Sequence, residues 1–259
     1  MPEEQGHKYG NMESMKFEYR RKEYYDYLNF LKEHKPSLED FMHDFTAYVG
    51  HMSLNRVLTI YEIYKKTLGL AGHIADVGVY KGASSLLFAK LVKIFESESL
   101  TLVHGFDWFE GMTKSDEDSE LLDEGGYKTD YKSVLELVEK QGFSNILKIH
   151  KMNLLNDCPE FFNKYRHLKF KLVMMDAGTY DVMKAAIPYF WERLIPGGIM
   201  IFDQYSHEFA PGETKAVSEI LPNEIIRTMP NSWMPNAYII KGSTANTGAC
   251  SVAGGGKTL

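Results

Sequence analysis

The sequence predicts a doubly wound α/β protein with a mostly parallel sheet, a C-terminal antiparallel hairpin and an N-terminal helical addition. Two observations predict this class. From Gly72 onward, short apolar runs alternate with amphipathic segments, as in strands joined by crossover helices. Before Gly72, apolar and aromatic residues recur at helical spacing. With 259 residues and 44% hydrophobic content, the chain can bury one large core.

The N-terminal part divides into a polar end and three predicted helices. Residues 1–14 are polar and expected to be disordered, whereas residues 15–70 form the helical addition. Pro36 and Ser37 separate the first helix from the second, because proline suits the first turn of a helix. The second covers residues 38–52. The third runs from a capping serine, Ser53, to Leu68, and its predicted buried face consists of Leu54, Val57, Leu58, Tyr61 and Tyr64.

Residues 71–241 are predicted to form the sheet and the helices that cover it. The predicted parallel strands are HIADVG, LTLVHGF, ILKIHKM, KLVMMDA and GIMIFDQ, and Pro196-Gly197-Gly198 is predicted as the turn before the last of them. Two further strands, NEIIRTM and NAYIIK, flank a PNSWMPN turn and predict the antiparallel hairpin. Residues 242–259 are glycine-rich and aperiodic, which is typical of a disordered tail.

Composition favours small-molecule chemistry. A net charge of -6 and a pI near 5.9 disfavour a nucleic-acid partner, which usually meets a basic patch. Cys158 and Cys250 lie far apart and outside any metal-binding cluster, so we expect free thiols. The sequence shows no signal peptide and no run long enough to cross a membrane, so we expect a cytoplasmic protein. The terminal GGGKTL is not a phosphate-binding loop, because Ser251 stands where the first glycine belongs.

The end of the first strand is the first candidate ligand site, because ligands of open parallel sheets bind beyond the carboxyl ends of the strands. Glycines at 78 and 82 allow a sharp turn, and the next helix offers N-terminal amides to a carboxylate, with the Ser84 hydroxyl beside them. An ordinary strand-to-helix turn explains the pattern equally well. A dinucleotide fingerprint is absent, because Tyr80 replaces its second glycine, and this disfavours a nicotinamide oxidoreductase.

The second and third strand ends carry candidates for binding a nucleoside. Asp107 is placed to accept hydrogen bonds from both hydroxyls of a ribose, and Trp108 and Phe109 follow with aromatic surface. Asn153 can accept from the exocyclic amine of adenine while Leu154 covers a ring face. A role for Asn153 as a simple turn residue is about equally expected.

The fourth and fifth strand ends carry candidates for catalysis or for a metal. Asp176 can orient or deprotonate a hydroxyl, and together with Asp203 it can reach one Mg²⁺ or Ca²⁺ ion, although two acids are a thin coordination sphere. His207 is a candidate general base, because histidine titrates near neutrality, although an exposed loop histidine is the commoner case. The acidic stretch 113–126 is long enough to form a lid. Aromatic residues expected at the rim of a substrate pocket are Trp108, Tyr180, Tyr205, Phe209 and Trp233.

On these residues and motifs, the chain resembles the TylF/MycF-type O-methyltransferases, which use S-adenosylmethionine (SAM) and act on deoxysugars of macrolides and similar natural products. Within that family it resembles the branch that includes the calicheamicin sugar methyltransferase. The shared elements lie between Leu54 and Lys241. They are LNRVLTIYEIYKKTLGLAG, DVGVYKG, GFDWFEGM, MDAGTYDVMKAAIPYFWERLIPGGIMIFD and PGETKAV.

The resemblance implies a Rossmann-like class I methyltransferase that binds SAM and methylates a hydroxyl of a small polar acceptor, such as a sugar. Asp107 would then bind the ribose and Asn153 the adenine, with Leu154, Trp108 and Phe109 beside the nucleoside and Tyr180 and Asp176 near the methyl group. Residues implied around the methionine part of SAM are Asp76, Gly78, Val79, Tyr80, Gly82 and Ser84.

The chain departs from the family at two acids. Gly178 stands for the second acid of the acid-x-acid-x-tyrosine motif, and Gln204 stands for the second of the paired acids after the fifth strand. His207 or Glu208 can stand in for the missing base. A SAM-binding protein without catalysis and an N-methyltransferase remain alternatives. The aromatic N-terminal helices are expected to pair subunits in a homo-oligomer or to cover the site.

Overall fold

A computed structural model describes residues 15–242 and contains one seven-stranded sheet. The strands lie in the order β3-β2-β1-β4-β5-β7-β6, and β7 runs antiparallel to both of its neighbours. This confirms the predicted doubly wound fold with its C-terminal hairpin. The strands are β1 (His73–Val77), β2 (Val103–Asp107), β3 (Leu147–Lys151), β4 (Phe170–Met175), β5 (Leu194–Phe202), β6 (Arg227–Thr228) and β7 (Ala237–Ile240).

Nine α-helices occur within the described residues, and a short 3-10 helix, Met15–Phe17, precedes them. None of the helices within 15–242 is long and apolar enough to span a membrane. The predicted disordered segment 1–14 and residues 243–259 of the predicted tail, with Cys250 among them, lie outside the described residues. The helices are α1 (Tyr19–His34), α2 (Leu38–His43), α3 (Phe45–Tyr48), α4 (His51–Lys66), α5 (Ala83–Phe95), α6 (Tyr131–Lys140), α7 (Cys158–Lys164), α8 (Tyr180–Arg193) and α9 (Pro211–Ile220).

The parallel strands end level with one another at the edge where a ligand is expected. Val77 pairs with Phe106 of β2 and with Met175 of β4, and Met175 pairs in turn with Phe202 of β5. The order in which the chain adds strands reverses between β1 and β4, which makes this the topological switch point of the sheet. The turns that follow β1, β2, β4 and β5 are therefore neighbours in space.

Apolar side chains cover both faces of the sheet, which explains why its strands have continuous apolar runs. On one face, Phe106 and Phe170 of the sheet pack against Phe162 of α7 and Phe190 of α8. The other face packs Ile74 and Leu172 against α4 and α5. Helix α4 therefore shares the core of the sheet, although it belongs to the predicted N-terminal addition.

The helix boundaries in the N-terminal part differ from the prediction. Ser37 caps α2 as expected and forms a capping box with Asp40. The predicted second helix is broken at Asp44, where the backbone leaves helical angles, and again at the extended Val49. Helix α4 begins at His51 after Gly50, so the prediction that Ser53 caps it was wrong. Ser53 lies inside the helix, because the helix extends one half-turn further back than the apolar pattern suggests.

The predicted buried face of α4 was also wrong in part. Tyr64 is fully buried, but Val57 and Leu58 are exposed, and the buried positions are Thr59, Ile60, Ile63 and Tyr64. The helix has apolar residues on two faces, and the β-branched and aromatic set at 60, 63 and 64 is the one that meets the sheet. Leu54 and Leu58 instead line a surface cleft.

Pro196-Gly197-Gly198 is the last difference from the predicted elements. These residues lie within β5, which starts at Leu194, rather than in a turn before it. The register against β4 shifts between Phe170 and Leu172, so the strand carries an irregularity where the turn was expected.

Candidate active site

The turn after β1 is built around a buried carboxylate. Asp76 is fully buried, and its Oδ2 accepts hydrogen bonds from the hydroxyls of Ser84, at 2.8 Å, and Ser85. Its other oxygen, Oδ1, is buried and has no hydrogen-bond partner among the described residues. Burial raises the pKa of Asp76 to about 6. The structure thus gives Ser84 a different partner from the predicted ligand carboxylate, because its hydroxyl donates to Asp76.

Gly78 brings the turns after β1 and β4 into contact. Its φ is 99°, and a Cβ at this position would lie 2.0 Å from the carbonyl oxygen of Asp176. The Gly78 N–H donates to the Phe106 carbonyl, and the Asp176 N–H donates to the Val77 carbonyl. Only glycine fits such a contact. Gly82 also has a positive φ and precedes α5, in agreement with the predicted sharp turn.

Asp107 ties together the turns after β1 and β2. Its Oδ2 accepts from the Tyr80 N–H at 2.8 Å, and its Oδ1 accepts from the Phe109 N–H at 2.7 Å. Burial raises the pKa of Asp107, and these backbone donors partly offset the rise. Each carboxylate oxygen can accept a second hydrogen bond, so the side chain can still receive two ligand hydroxyls.

The side chains of Val79 and Phe109 are buried together against Val134 in a small separate cluster. Phe109 therefore lacks the exposed aromatic surface that was predicted, and its contact with a nucleoside stays a prediction. Phe109 has a φ of 65°, and its ring packs on Tyr131 of α6. Burying a whole aromatic ring stabilises the fold more than leaving it at the rim. Trp108 is half-buried, and its indole N–H donates to the Gly111 carbonyl.

In the turn after β3, Asn153 has the contacts of a turn residue, which was one of its two predicted roles. Its side-chain oxygen accepts from the Leu155 N–H at 3.0 Å, and its own N–H donates to Asp157. This is an Asx turn. Leu154 is buried in the main core, and its predicted contact with an adenine ring stays a prediction. The Met152 N–H donates to the Asp107 carbonyl, so this turn still lies next to the predicted ribose site.

An arginine that sequence reasoning did not single out, Arg56, lies between Asp176 and Asp203. The Arg56 guanidinium, from α4, donates through Nη2 to Asp176 Oδ2 at 2.8 Å and through Nη1 to Asp203 Oδ1 at 2.5 Å. Burial opposes the charged form, but the two carboxylates outweigh it and raise the pKa of Arg56. Burial and the neighbouring Asp203 raise the pKa of Asp176 well above its ordinary value.

A buried glutamate completes this acidic group, and it too escaped sequence reasoning. Glu213, in the first turn of α9, is fully buried, and its Oε1 accepts from the Gln204 N–H at 2.8 Å. Its Oε2 has no hydrogen-bond partner among residues 15–242. Burial and the charge of Asp203 raise the pKa of Glu213 well above its ordinary value.

His207 lies at the wall of a cleft of about 840 Å³. The imidazole is buried near Trp233 and Phe209, and its Nδ1 accepts from the Phe209 N–H at 3.2 Å. In a neutral imidazole with Nδ1 as acceptor, Nε2 carries the proton. This arrangement suits a hydrogen-bond donor better than the predicted general base. Exposed Glu208 also lines the cleft, together with Leu54, Asn55, Leu58 and Trp233.

Tyr180 and the acidic loop 113–126 are linked by Asp118. Asp118 Oδ1 accepts from the Tyr180 N–H at 2.9 Å at the start of α8, and Glu117 pairs with Lys215 of α9 at 2.7 Å. The Tyr180 hydroxyl donates to Glu219, so this side chain faces α9 rather than the strand ends. The loop is therefore docked on α8 and α9, where a lid was predicted.

This strand order, with carboxylates gathered at the ends of β1, β2, β4 and β5, defines a Rossmann-like class I methyltransferase fold. Sequence comparison gives the family. The chain belongs to the family described as "Methyltransferase domain", whose sequence model matches residues 75–205.

One curated relative and two solved structures illustrate the similarity. The relative, from Streptomyces olivaceus, is 8-demethyl-8-(2,3-dimethoxy-alpha-L-rhamnosyl)-tetracenomycin-C 4'-O-methyltransferase, which is 25% identical over 146 residues. The match spans 53% of this chain and about half, 54%, of the relative. The calicheamicin methyltransferase CalS11 superposes with a TM-score of 0.73 at 20% identity, covering 86% of this chain and 93% of the other. The O-methyltransferase NovP gives a TM-score of 0.60 at 15% identity, with coverage of 72% and 79%.

The family implies SAM as the methyl donor, and the residues at the strand ends fit it. The orphaned Oδ1 of Asp76 lies at the base of the first turn and suits a cationic amino group. Asp107 retains acceptor capacity for a pair of ribose hydroxyls. The residues do not fit a divalent metal in the same way. Within residues 15–242, no group of three or more His, Cys, Asp or Glu side chains can hold a metal ion.

Proposed function

We propose that this chain transfers a methyl group from SAM to a hydroxyl of a glycosylated small molecule. The supporting observation is a cleft of about 840 Å³, large enough for such an acceptor, whose lining residues Asn55 and Ser206 lie close in sequence to Arg56 and Asp203 of the strand-end site. The names of the tetracenomycin relative and of CalS11, one form of which is described as a TDP-rhamnose 3'-O-methyltransferase, support a sugar acceptor.

The donor half of the site is formed by the turns after β1 and β2. Asp107 receives the ribose hydroxyls, and Asp76 places an acceptor oxygen beneath the methionine end. Gly78 lets the turns after β1 and β4 touch, and this contact supports a role for Asp176 beside the donor. When bound, SAM supplies a methyl group already activated by the sulfonium charge. The protein's work is then to align two molecules and to accept one proton.

The acceptor half of the site is the cleft between α4, the loop after β5 and the β6–β7 hairpin. Leu54 and Leu58 offer apolar surface and Trp233 an aromatic ring, which suit the C–H faces of a sugar. Asn55 and His207 offer polar groups to sugar hydroxyls. Asp176 follows β4 and pairs with Arg56, the neighbour in sequence of the cleft residue Asn55. Its raised pKa makes the carboxylate a stronger base than an exposed aspartate.

A protein that binds SAM without catalysis is the second candidate. Gly178 and Gln204 occupy the positions of two acids that related enzymes are expected to have, and this favours the alternative. The deciding experiment measures SAM affinity by calorimetry and S-adenosylhomocysteine production against a panel of sugars, nucleotide sugars and phenols. We expect turnover with a glycosylated acceptor and a product heavier by one methyl group. Tight SAM binding with no turnover on any acceptor would favour the second candidate.

Replacing Asp107 with asparagine is expected to weaken S-adenosylhomocysteine binding about tenfold. The amide keeps one acceptor oxygen but turns an NH₂ group toward one of the two backbone N–H donors, so a hydrogen bond becomes a repulsive contact. Isothermal titration calorimetry measures the change. Glu110→Gln is the matched control, since Glu110 follows closely but binds only the exposed Lys128 and Lys151. Equal affinities of the Asp107 variant and the wild type would remove Asp107 from the donor site.

Replacing His207 with alanine is expected to raise KM for the acceptor about tenfold, the value of one lost hydrogen bond, with kcat little changed. The reason is that Nδ1 accepts from Phe209, so Nε2 carries the proton and can donate it to a hydroxyl in a hydrogen bond. Steady-state kinetics separate the two constants. His43→Ala, an exposed change at the end of α2 and outside the cleft, serves as the control. A fall in kcat of about a hundredfold or more would restore His207 as the general base.

A further inference from the structure

The pairing of Asp176 and Asp203 with Arg56 sets this site apart from a metal centre. The two carboxylates end neighbouring strands, and each receives its own guanidinium nitrogen, at 2.8 Å and 2.5 Å. Asp203 is almost completely buried, with 5% of its side chain exposed. Arg56 comes from α4, 120 and 147 residues away along the chain, so the contact is a tertiary one.

The residues present do not suit Mg²⁺ or Ca²⁺. These ions require about six oxygen ligands, whereas Asp176 and Asp203 are already paired with the guanidinium. Even with Glu213 nearby, residues 15–242 contain no group of three or more His, Cys, Asp or Glu side chains that could hold a metal ion. Gly178 and Gln204 add no carboxylate. A planar guanidinium with donors on two sides can bridge two carboxylates, and its weak hydration makes it easier to bury than a compact cation. A metal ion and Arg56 would have to occupy the same space.

We propose that Arg56 is a built-in substitute for a divalent cation, and that methyl transfer by this chain needs no metal. Arg56 is a positioning residue: it neutralises Asp203 and holds the Asp176 carboxylate in one orientation at the end of β4. This inference depends on the proposed function for its kinetic part, but not for its metal-binding part. The fold thus uses a side chain of the N-terminal helices to complete the site.

The metal-binding test needs no turnover. Mn²⁺ is titrated into the full chain and followed by electron paramagnetic resonance, with and without S-adenosylhomocysteine. We expect the wild type to leave the free Mn²⁺ signal unchanged. Stoichiometric Mn²⁺ binding that is lost in Asp203→Asn would overturn the proposal, even if no acceptor has been found.

The kinetic test compares activity in excess EDTA with activity in added MgCl₂. We expect less than about a twofold difference for the wild type. Arg56→Lys keeps the charge but has a single nitrogen, so its kcat should be about tenfold lower than that of the wild type. The kcat of Arg56→Ala, which loses the charge as well, should be about a hundredfold lower. S-adenosylhomocysteine affinity should stay within about threefold, and Lys66→Ala, an exposed change on the same helix, should have no effect.

Rescue distinguishes positioning from a general structural role. Free guanidinium ion, at concentrations too low to denature, should restore part of the activity of Arg56→Ala but not alter that of Lys66→Ala. If Arg56→Ala does not fold, Arg56→Lys carries the same comparison. Wild-type activity abolished by EDTA and restored by Mg²⁺ would overturn the proposal, as would an Arg56→Lys variant with wild-type kcat. A protein that binds SAM, ignores Mn²⁺ and methylates nothing would refute the proposed function and leave Arg56 as the resident cation.

Discussion

The Asp176→Asn variant is expected to lose about two to four orders of magnitude in kcat, the usual contribution of a positioned proton acceptor. Asparagine has nearly the same shape and can still accept the hydrogen bond from Arg56 Nη2 through its carbonyl oxygen. It cannot take a proton. The raised pKa of Asp176, caused by burial and by Asp203, makes the carboxylate a better base than an exposed aspartate, so its loss should matter more.

Single-turnover measurements with a saturating acceptor would isolate this step. S-adenosylhomocysteine affinity and the thermal midpoint should stay close to those of the wild type, because the shape and the contact with Arg56 persist. Asp181→Asn, an exposed change in the first turn of α8, is the matched control and should keep full activity. If Asp176→Asn turns over at the wild-type rate, the proton goes elsewhere, and Glu208 at the cleft becomes the next residue to test.

Gly78→Ala is expected to prevent stable folding or to lower the free energy of unfolding by more than about 4 kcal/mol. The added Cβ would lie 2.0 Å from the Asp176 carbonyl oxygen and 2.6 Å from its carbonyl carbon. Both belong to backbone at the end of a buried strand, so neither can rotate away. The φ of 99° adds the strain that any side chain feels in this region.

Gly142→Ala separates the two causes. Gly142 also has a positive φ, of 74°, but it lies on the surface after α6, and nothing is within 4 Å of the place that a Cβ would take there. It should therefore lose only about 1–2 kcal/mol, the cost of the backbone conformation. Urea denaturation followed by circular dichroism measures both variants. Similar losses in the two would mean that the turns after β1 and β4 can move apart, and the close contact at the donor site would not be a requirement of the fold.

The strands were predictable because the central ones, β1, β4 and β5, are mainly apolar and each is followed by a polar or glycine-rich turn. The helix boundaries near Asp44 and Gly50 were not, because the apolar spacing continues across both breaks. The buried face of α4 could not be predicted either, because the helix has apolar residues on two faces. Ile60 and Leu58 are equally apolar, and only the position of the sheet decides which of them is buried.

The acids of the site were predictable from their places at strand ends, whereas their partners were not. Arg56 looks in the sequence like any polar residue on an amphipathic helix, and its contacts lie more than a hundred residues away. Glu213 could have been noticed only as an acid in the first turn of a helix, which is usually exposed. Phe109, Leu154 and Tyr180 were predicted to contact a ligand because each follows the end of a strand. All three are buried, since a side chain next to a site often faces the core.

Asp118 gives the docked acidic loop a particular stability. Its Oδ1 receives one backbone N–H, and Gly212 makes room for it, because a Cβ there would lie 2.0 Å from that oxygen. A single hydrogen bond to a charged group contributes about 1.5–3 kcal/mol, and the partly exposed Glu117–Lys215 ion pair adds a smaller amount. The contacts of this loop with α8 can break and re-form without disturbing the sheet. If the loop covers a ligand bound at the strand ends, the residence time of that ligand would follow the rate at which the loop opens. It would lengthen in viscous solvent.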